Sequence, residues 1–303
     1  MQKGSRSVMN SQEMRDKIAG GQGFIAALDQ SGGSTPKALK GYGIDEDGWS
    51  NDEEMFGLIH AMRSRIITSP CFSGEKVIGA ILFERTMDGE VDGKPTPQAL
   101  IERGIVPFIK IDKGLEDEAN GVQLMKPIPG LDDLLSRASG LGVFGTKERS
   151  VINLANEAGI AEVVGQQFEV ASHVLRHGLV PIIEPEVNIK STDRDACDRL
   201  LRDEILRHLD RLAEGTQVML KLSIPAEAGL FQPLIDHPKV LRVVALSGGF
   251  SRQDACAELA KNPGMIASFS RALLSDLRHQ QSDDEFDKTL GTAIDEIHAA
   301  SIA

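Results

Sequence analysis

The chain has 303 residues, with 45 acidic against 33 basic side chains and a net charge of −12. That balance, with no basic stripe and no interleaved aromatics, argues against a nucleic-acid partner, and an anionic ligand needs a local cationic site. The length suits two average domains or one α/β barrel of about 250 residues or more. Cys71, Cys197 and Cys256 are odd in number, widely spaced and without a CxxC. They are expected to be reduced thiols in a cytoplasmic protein. No secretory apolar region opens the sequence, and no apolar run approaches a membrane span, so a soluble chain is expected.

Met1 to Gly21 is polar and predicts a leader plus one helix. Strand one is expected over Gly23 to Asp29 (GFIAALD), followed by the loop Ser31-Gly32-Gly33-Ser34. Ser50 to Ser69 predicts a long helix opened by a capping box, Ser50-x-x-Glu53. Val77 to Glu84 is strand two, Thr96 to Arg103 a helix closed by Gly104, and Val106 to Asp112 strand three. A long connection, Gly114 to Pro129, precedes a helix over Leu131 to Ala138. Val143 to Arg149 is strand four, and Ser150 to His177 holds one or two helices. Val180 to Val187 is strand five, and Thr192 to Leu212 an amphipathic helix with a solvated outer face. Val218 to Ile224 is strand six and Ala226 to Asp236 a helix. Val240 to Ser247 is strand seven, and Arg242 is expected near its start in a structural ion pair. A helix over Ser251 to Lys261 leads to strand eight, Met265 to Ser270. Two helices follow, the last opened by Ser282-x-x-Glu285.

Each strand is a near-continuous apolar run, as expected where both faces are covered. Strict alternation over eight units, with no linker-like stretch, predicts one closed (β/α)8 TIM barrel with extra terminal helices, a single catalytic domain over residues 1–303. In such a barrel, polar residues at the C-terminal strand ends meet at one mouth. Asp29, Glu84, Lys110, Asp112, Lys147, Arg149, Glu184, Glu186, Lys221, Ser247 and Arg271 are those residues. Side chains alternate along a strand, so Lys110 shares a face with Asp112, Lys147 with Arg149, Glu184 with Glu186, and Lys221 with Ser223. Four cations and four anions would then crowd one pocket. A salt-bridge network filling the barrel end is the plain alternative, but burying so many ions seldom stabilises a fold.

Lys221 sits inside the apolar run VMLKLSI, where a charge is costly unless paired. It could be a structural ion pair or an amine nucleophile. A nucleophilic amine must lose its proton, and a second cation nearby favours that loss; Lys147 is placed to supply it. Imine chemistry also needs a proton carrier, for which Glu184 or Glu186 can serve. Asp29 can take a proton from a substrate hydroxyl. Neither metal nor cofactor is required, because a protonated imine is itself the electron sink. Ser247-Gly248-Gly249 after strand seven and Ser270-Arg271 after strand eight are the usual phosphate loops of a barrel. Ser31 to Ser34 offers a second anion loop, and Lys110 and Arg149 could serve either one. His173 and His177 fit the end of a helix better than a metal pair, and the other histidines are scattered.

The runs AALDQSGGS, FIKIDKG, FGTKERS, PIIEPEV, MLKLSIP, ALSGG and ASFSRAL resemble the class I, Schiff-base fructose-1,6-bisphosphate aldolases, in their shorter bacterial form. The resemblance covers strands one and three to eight. It implies reversible cleavage of the ketose bisphosphate to two triose phosphates, with Lys221 forming the imine and Glu184 as general acid/base supported by Glu186 and Lys147. It implies that Asp29 acts in carbon–carbon cleavage. Ser247, Gly248 and Arg271 would hold the ketone-side phosphate; Ser31, Ser34 and Lys110 would lie near the other, and Arg149 would line the pocket. Animal members carry a longer tail ending in tyrosine and a glycine where this chain has Ser270; here the one tyrosine is Tyr42. Another ketose bisphosphate, such as tagatose 1,6-bisphosphate, is the alternative substrate, and a non-catalytic binding barrel the alternative function.

Overall fold

The computed structural model describes residues 9–303. The polar leader expected before residue 9 lies outside the described residues. Eight strands line up side by side in chain order: β1 (Phe24–Leu28), β2 (Val77–Leu82), β3 (Val106–Lys110), β4 (Gly145–Ile152), β5 (Val180–Val187), β6 (Val218–Ser223), β7 (Val240–Leu246) and β8 (Ile266–Ala267). All seven ladders between neighbours are parallel. The helices are α1 (Ser11–Gly20), α2 (Thr35–Tyr42), α3 (Asp52–Thr68), α4 (Glu84–Met87), α5 (Thr96–Glu102) and α6 (Leu131–Gly140). They continue as α7 (Glu157–Arg176), α8 (Arg194–Arg211), α9 (Gln232–Ile235), α10 (Arg252–Leu259), α11 (Arg271–Leu274) and α12 (Asp283–Ser301). This is the (β/α)8 barrel that the alternation predicts.

Strand side chains divide by parity into two apolar clusters. Phe24, Ala26, Leu28, Leu220 and Leu222 face outward, into the layer of helices. Ile25, Phe108, Ile182, Met219, Val244 and Ile266 fill the inside, joined there by Met14 and Ile18 of α1. Helix α1 therefore plugs the N-terminal end of the barrel. Arg242 belongs to this plug and, among the described residues, makes no ion pair where one was expected: its Nη1 donates to Ala19 O at 2.6 Å. The last carbonyls of a helix have no partner within it, and a cation suits that end.

Several boundaries differ from expectation. Helix α3 starts later than predicted, because Asn51 and not Ser50 caps it, its side chain accepting from Glu54 N. The box at Ser282 and Glu285 forms as expected. Helix α2 follows the serine loop in a stretch for which no element is expected; Pro36 is well placed in its first turn and Gly43, at φ +92°, closes it. Strand β4 runs on to Ile152. There it accepts a short antiparallel strand, Val122–Gln123, from the long connection after β3. The helix expected over Ala226 to Asp236 shrinks to the single turn α9, because Pro225, Gly229 and Pro233 interrupt it. Strand β8 keeps only two residues. A small hairpin, Glu90–Val91 with Lys94–Pro95, was not foreseen.

Candidate active site

The inward parity that places Phe108 inside the barrel also places Lys110 there, two residues on. Register does the rest. Lys110 stands opposite Lys147, Arg149 opposite Glu184, and Val244 opposite Lys221. The polar strand ends thus open into one cavity of about 1090 Å³ at the C-terminal mouth. Asp29, Ser31, Ser34, Lys110, Lys147, Arg149, Glu184, Glu186, Lys221, Ser247, Gly248 and Arg271 all line it. Gly249 does not. It stands behind, where an added Cβ would lie 3.7 Å from Arg271 Nη2.

At the floor, charges alternate in a chain. Lys221 Nζ lies 3.1 Å from Glu184 Oε1. Lys147 Nζ lies 2.8 Å from Glu184 Oε2 and 2.8 Å from Asp29 Oδ2. Asp112 stands 4.0 Å from Lys147 and pairs with Lys110 at 2.6 Å. Glu186 pairs with Arg149. The expected four cations and four anions are therefore together, and they cancel. Glu184, Lys147 and Lys221 are at most 4% exposed, so cancellation is what makes their burial tolerable.

These contacts decide protonation. Burial opposes the charge on Lys147, but Asp29, Glu184 and Asp112 outweigh it and hold the ammonium well above the ordinary lysine range. Burial likewise opposes the Asp29 carboxylate, and Lys147, with Lys221 and Lys110 behind it, holds that group well below its ordinary range. Glu184 is also drawn below its ordinary range, against its burial, by Lys147 and Lys221. Lys147 is therefore a fixed charge that keeps two carboxylates ionised, one on each side. Glu148, between Lys147 and Arg149 in sequence, faces the opposite way. It is fully buried, and burial followed by repulsion from Asp112 pushes its carboxyl well above the usual range.

Two loops flank the floor. Gly248 and Gly249 have φ of +59° and +117°, and a Cβ on Gly248 would meet Ile189 Cγ2 at 2.6 Å. This turn after β7 therefore requires glycine, and it leaves Ser247 and Gly248 facing the cavity beside Arg271. Across the mouth, Ser31 N donates to Ser34 Oγ at 3.0 Å, and Ser34 Oγ donates back to Ser31 O at 3.1 Å. Lys37, Lys113 and Arg278 bring further cations to the wall, and Gln30 also lines it. The sequence reading missed all four. Lys37 follows from recognising α2, one turn after the serine loop; Lys113 and Arg278 lie in connections whose course no local pattern reveals. Glu84 lies at the rim, bridging Lys113 at 2.8 Å and Arg137. Tyr42 lies outside this cavity, buried edge-on against Phe286 and His279. His177 pairs with Asp132 at the end of α7. Among the described residues no group of three or more His, Cys, Asp or Glu side chains is arranged to hold a metal ion.

Comparison with known proteins agrees with this geometry. The family model for class-I fructose-bisphosphate aldolase matches residues 11–223. A fructose-bisphosphate aldolase from Plasmodium falciparum, solved with TRAP and a small-molecule inhibitor, superposes with a TM-score of 0.77 at 20% identity, covering 96% of this chain and 93% of its own. The protein Cgl0159 from Corynebacterium glutamicum superposes with a TM-score of 0.55 at 13% identity, covering 96% of this chain and 91% of its own. At these identities the structural likeness is one of fold.

Proposed function

Because the chain belongs to the class-I fructose-bisphosphate aldolase family, we propose that it cleaves fructose 1,6-bisphosphate reversibly into dihydroxyacetone phosphate and glyceraldehyde 3-phosphate through an imine on Lys221. The observation that carries this reading is the buried run Lys221–Glu184–Lys147–Asp29, with the Ser31 to Ser34 loop and the Ser247-Gly248 turn lining the same cavity. A strand lysine touching a carboxylate, which a second, fixed lysine links to another carboxylate, supplies a nucleophile, a proton carrier and a base in one line.

Ser247, Gly248 and Arg271 bind the ketone-side phosphate, and Ser31, Ser34 and Lys110 the other, which lays the carbon chain across the floor. The Lys221 amine adds to the C2 carbonyl. Glu184, 3.1 Å away, takes the proton that Lys221 sheds on attack and hands it to the departing hydroxyl, so water leaves and a protonated imine remains. Asp29 removes the C4 hydroxyl proton. The C3–C4 bond breaks, its electron pair enters the imine to give an enamine, and the aldehyde departs. Protonation at C3 and addition of water then release the second triose phosphate and restore Lys221. Lys147 holds Asp29 and Glu184 ionised between these transfers, and Arg149 with Glu186 forms the adjoining wall.

Residues 1–303 would form one catalytic domain, serving glycolysis and gluconeogenesis in the cytoplasm; the three free cysteines suit that compartment. No described helix is long and apolar enough to cross a membrane. The test is a coupled cleavage assay on fructose and tagatose 1,6-bisphosphates. Turnover of the fructose sugar, lost in K221M, is the expected result. Preference for the tagatose sugar would move the substrate assignment, and no turnover of either would overturn the proposal.

A further inference from the structure

The barrel has one weak joint. Seven neighbouring strand pairs form ladders, but β1 and β8 share none. A backbone bond crosses there, from Ala27 N to Phe269 O at 3.2 Å. The residues above this joint are Asp29 on one side and Ser270-Arg271 on the other, both lining the cavity. Whatever fixes the joint sets the distance between a proton-transfer group and a phosphate-binding loop.

A side-chain bridge lies across it. Gln30 Nε2 donates to Ala27 O at 3.2 Å and to Ser270 Oγ at 2.5 Å. Behind Gln30 stands Arg63 of α3, which is 1% exposed. Its Nη2 donates to Gln30 O at 2.5 Å and to Gln30 Oε1 at 3.1 Å, and its Nη1 to Thr86 Oγ1 at 2.7 Å. A guanidinium has donors only. It therefore dictates which way the amide faces, with Oε1 toward Arg63 and Nε2 toward the joint. Burying a guanidinium carries a large desolvation penalty, and an apolar side chain would fill that volume more cheaply. The orientation of Gln30 is the work it does there.

We propose that Arg63 and Gln30 are positioning residues that close the β1–β8 joint at the mouth and hold the Ser270-Arg271 loop at its working distance from Asp29. The catalytic consequence rests on the aldolase reading above. Gln30 is the pin, bonded to both sides of the joint, and Arg63 keeps it from turning over. With the pin lost, the chemistry of Glu184 on β5 and Lys221 on β6 is untouched, but the phosphate loop beside Arg271 drifts from the rest of the site. Substrate capture suffers more than turnover.

The discriminating variant is Q30M. It keeps length and volume but has neither the Nε2 donor nor the Oε1 acceptor, whereas in Q30E the Ser270 hydroxyl turns to donate to the carboxylate and keeps the bridge. Two measurements are made on the full chain: amide hydrogen exchange at Ala27, and steady-state kinetics on the ketose bisphosphate. The expected result for Q30M is faster exchange at Ala27 and a KM raised roughly tenfold, the loss of about one good hydrogen bond, with kcat within threefold. R63M should behave likewise, while Q30E and R63K should recover part of the KM. Unchanged exchange and KM in Q30M would overturn the proposal, as would equal changes in exchange at every barrel strand. If the parent chain turns over no ketose bisphosphate, the aldolase reading fails, and exchange at Ala27 alone decides whether the pin exists.

Discussion

Lys221 Nζ lies 3.1 Å from Glu184 Oε1, while the opposite oxygen of the same carboxylate is held by Lys147. One glutamate thus faces a nucleophile and a fixed charge on its two sides. Lys147 has a second carboxylate of its own, Asp29, so the two buried lysines are unequal, and the difference is testable.

Borohydride reduction in the presence of dihydroxyacetone phosphate should label Lys221 alone. Lys147 is locked as an ammonium by Asp29 and Glu184, and Lys110 is tied to Asp112 at 2.6 Å. Mass spectrometry of the peptide from Met219 to Pro225 reads the outcome. Label on Lys147 instead would exchange the two roles.

Replacing Arg271 by alanine should weaken capture of the ketone-side phosphate. The residue lines the cavity beside Ser247 and Gly248. A charge-assisted contact of this kind contributes about 1.5–3 kcal/mol, roughly tenfold to a hundredfold in affinity. Equal losses for the bisphosphate and for the unphosphorylated ketose would rule this role out.

Activity should survive prolonged treatment with EDTA. In the proposed route the protonated imine on Lys221 accepts the electron pair of the breaking bond, a task that metal-dependent aldol cleavage gives to a cation. Cleavage rates before and after dialysis against chelator are the measurement. Loss of activity restored by zinc would sink the imine mechanism.

Glu148→Gln should stabilise the protein at neutral pH and leave it unchanged in acid. Glu148 is buried and its carboxyl is pushed well above its ordinary value of 4.5. Below that value the side chain is protonated in both folded and unfolded chains, so the substitution has little to relieve. As pH rises past it, the unfolded chain ionises while the folded one does not, and wild-type stability falls until the folded carboxyl also ionises. The Tm gain of E148Q should therefore grow from pH 4 to pH 8. A gain independent of pH would mean that Glu148 is not held neutral.

The fold and the floor of the site were legible in the sequence because both rest on local periodicity. Apolar runs covered on both faces gave the strands, and alternation along VPFIKID, VFGTKER, VPIIEPEV and VMLKLSI put Lys110, Lys147, Glu184 and Lys221 on inward faces before any contact was known. Parity fails, however, to say which ion meets which. That Lys147 serves Asp29 and Glu184 at once depends on ladder register and barrel curvature, which bring a carboxylate just past β1 and another on β5 to 2.8 Å from one ammonium on β4. Residues outside the strands escaped for the same reason. Lys37, Lys113 and Arg278 reach the cavity from α2 and from connections, and Arg63 reaches Gln30 from a helix that reads simply as long and capped. Period and composition fix what lies along a chain; contacts between segments far apart in sequence are decided only when the barrel closes.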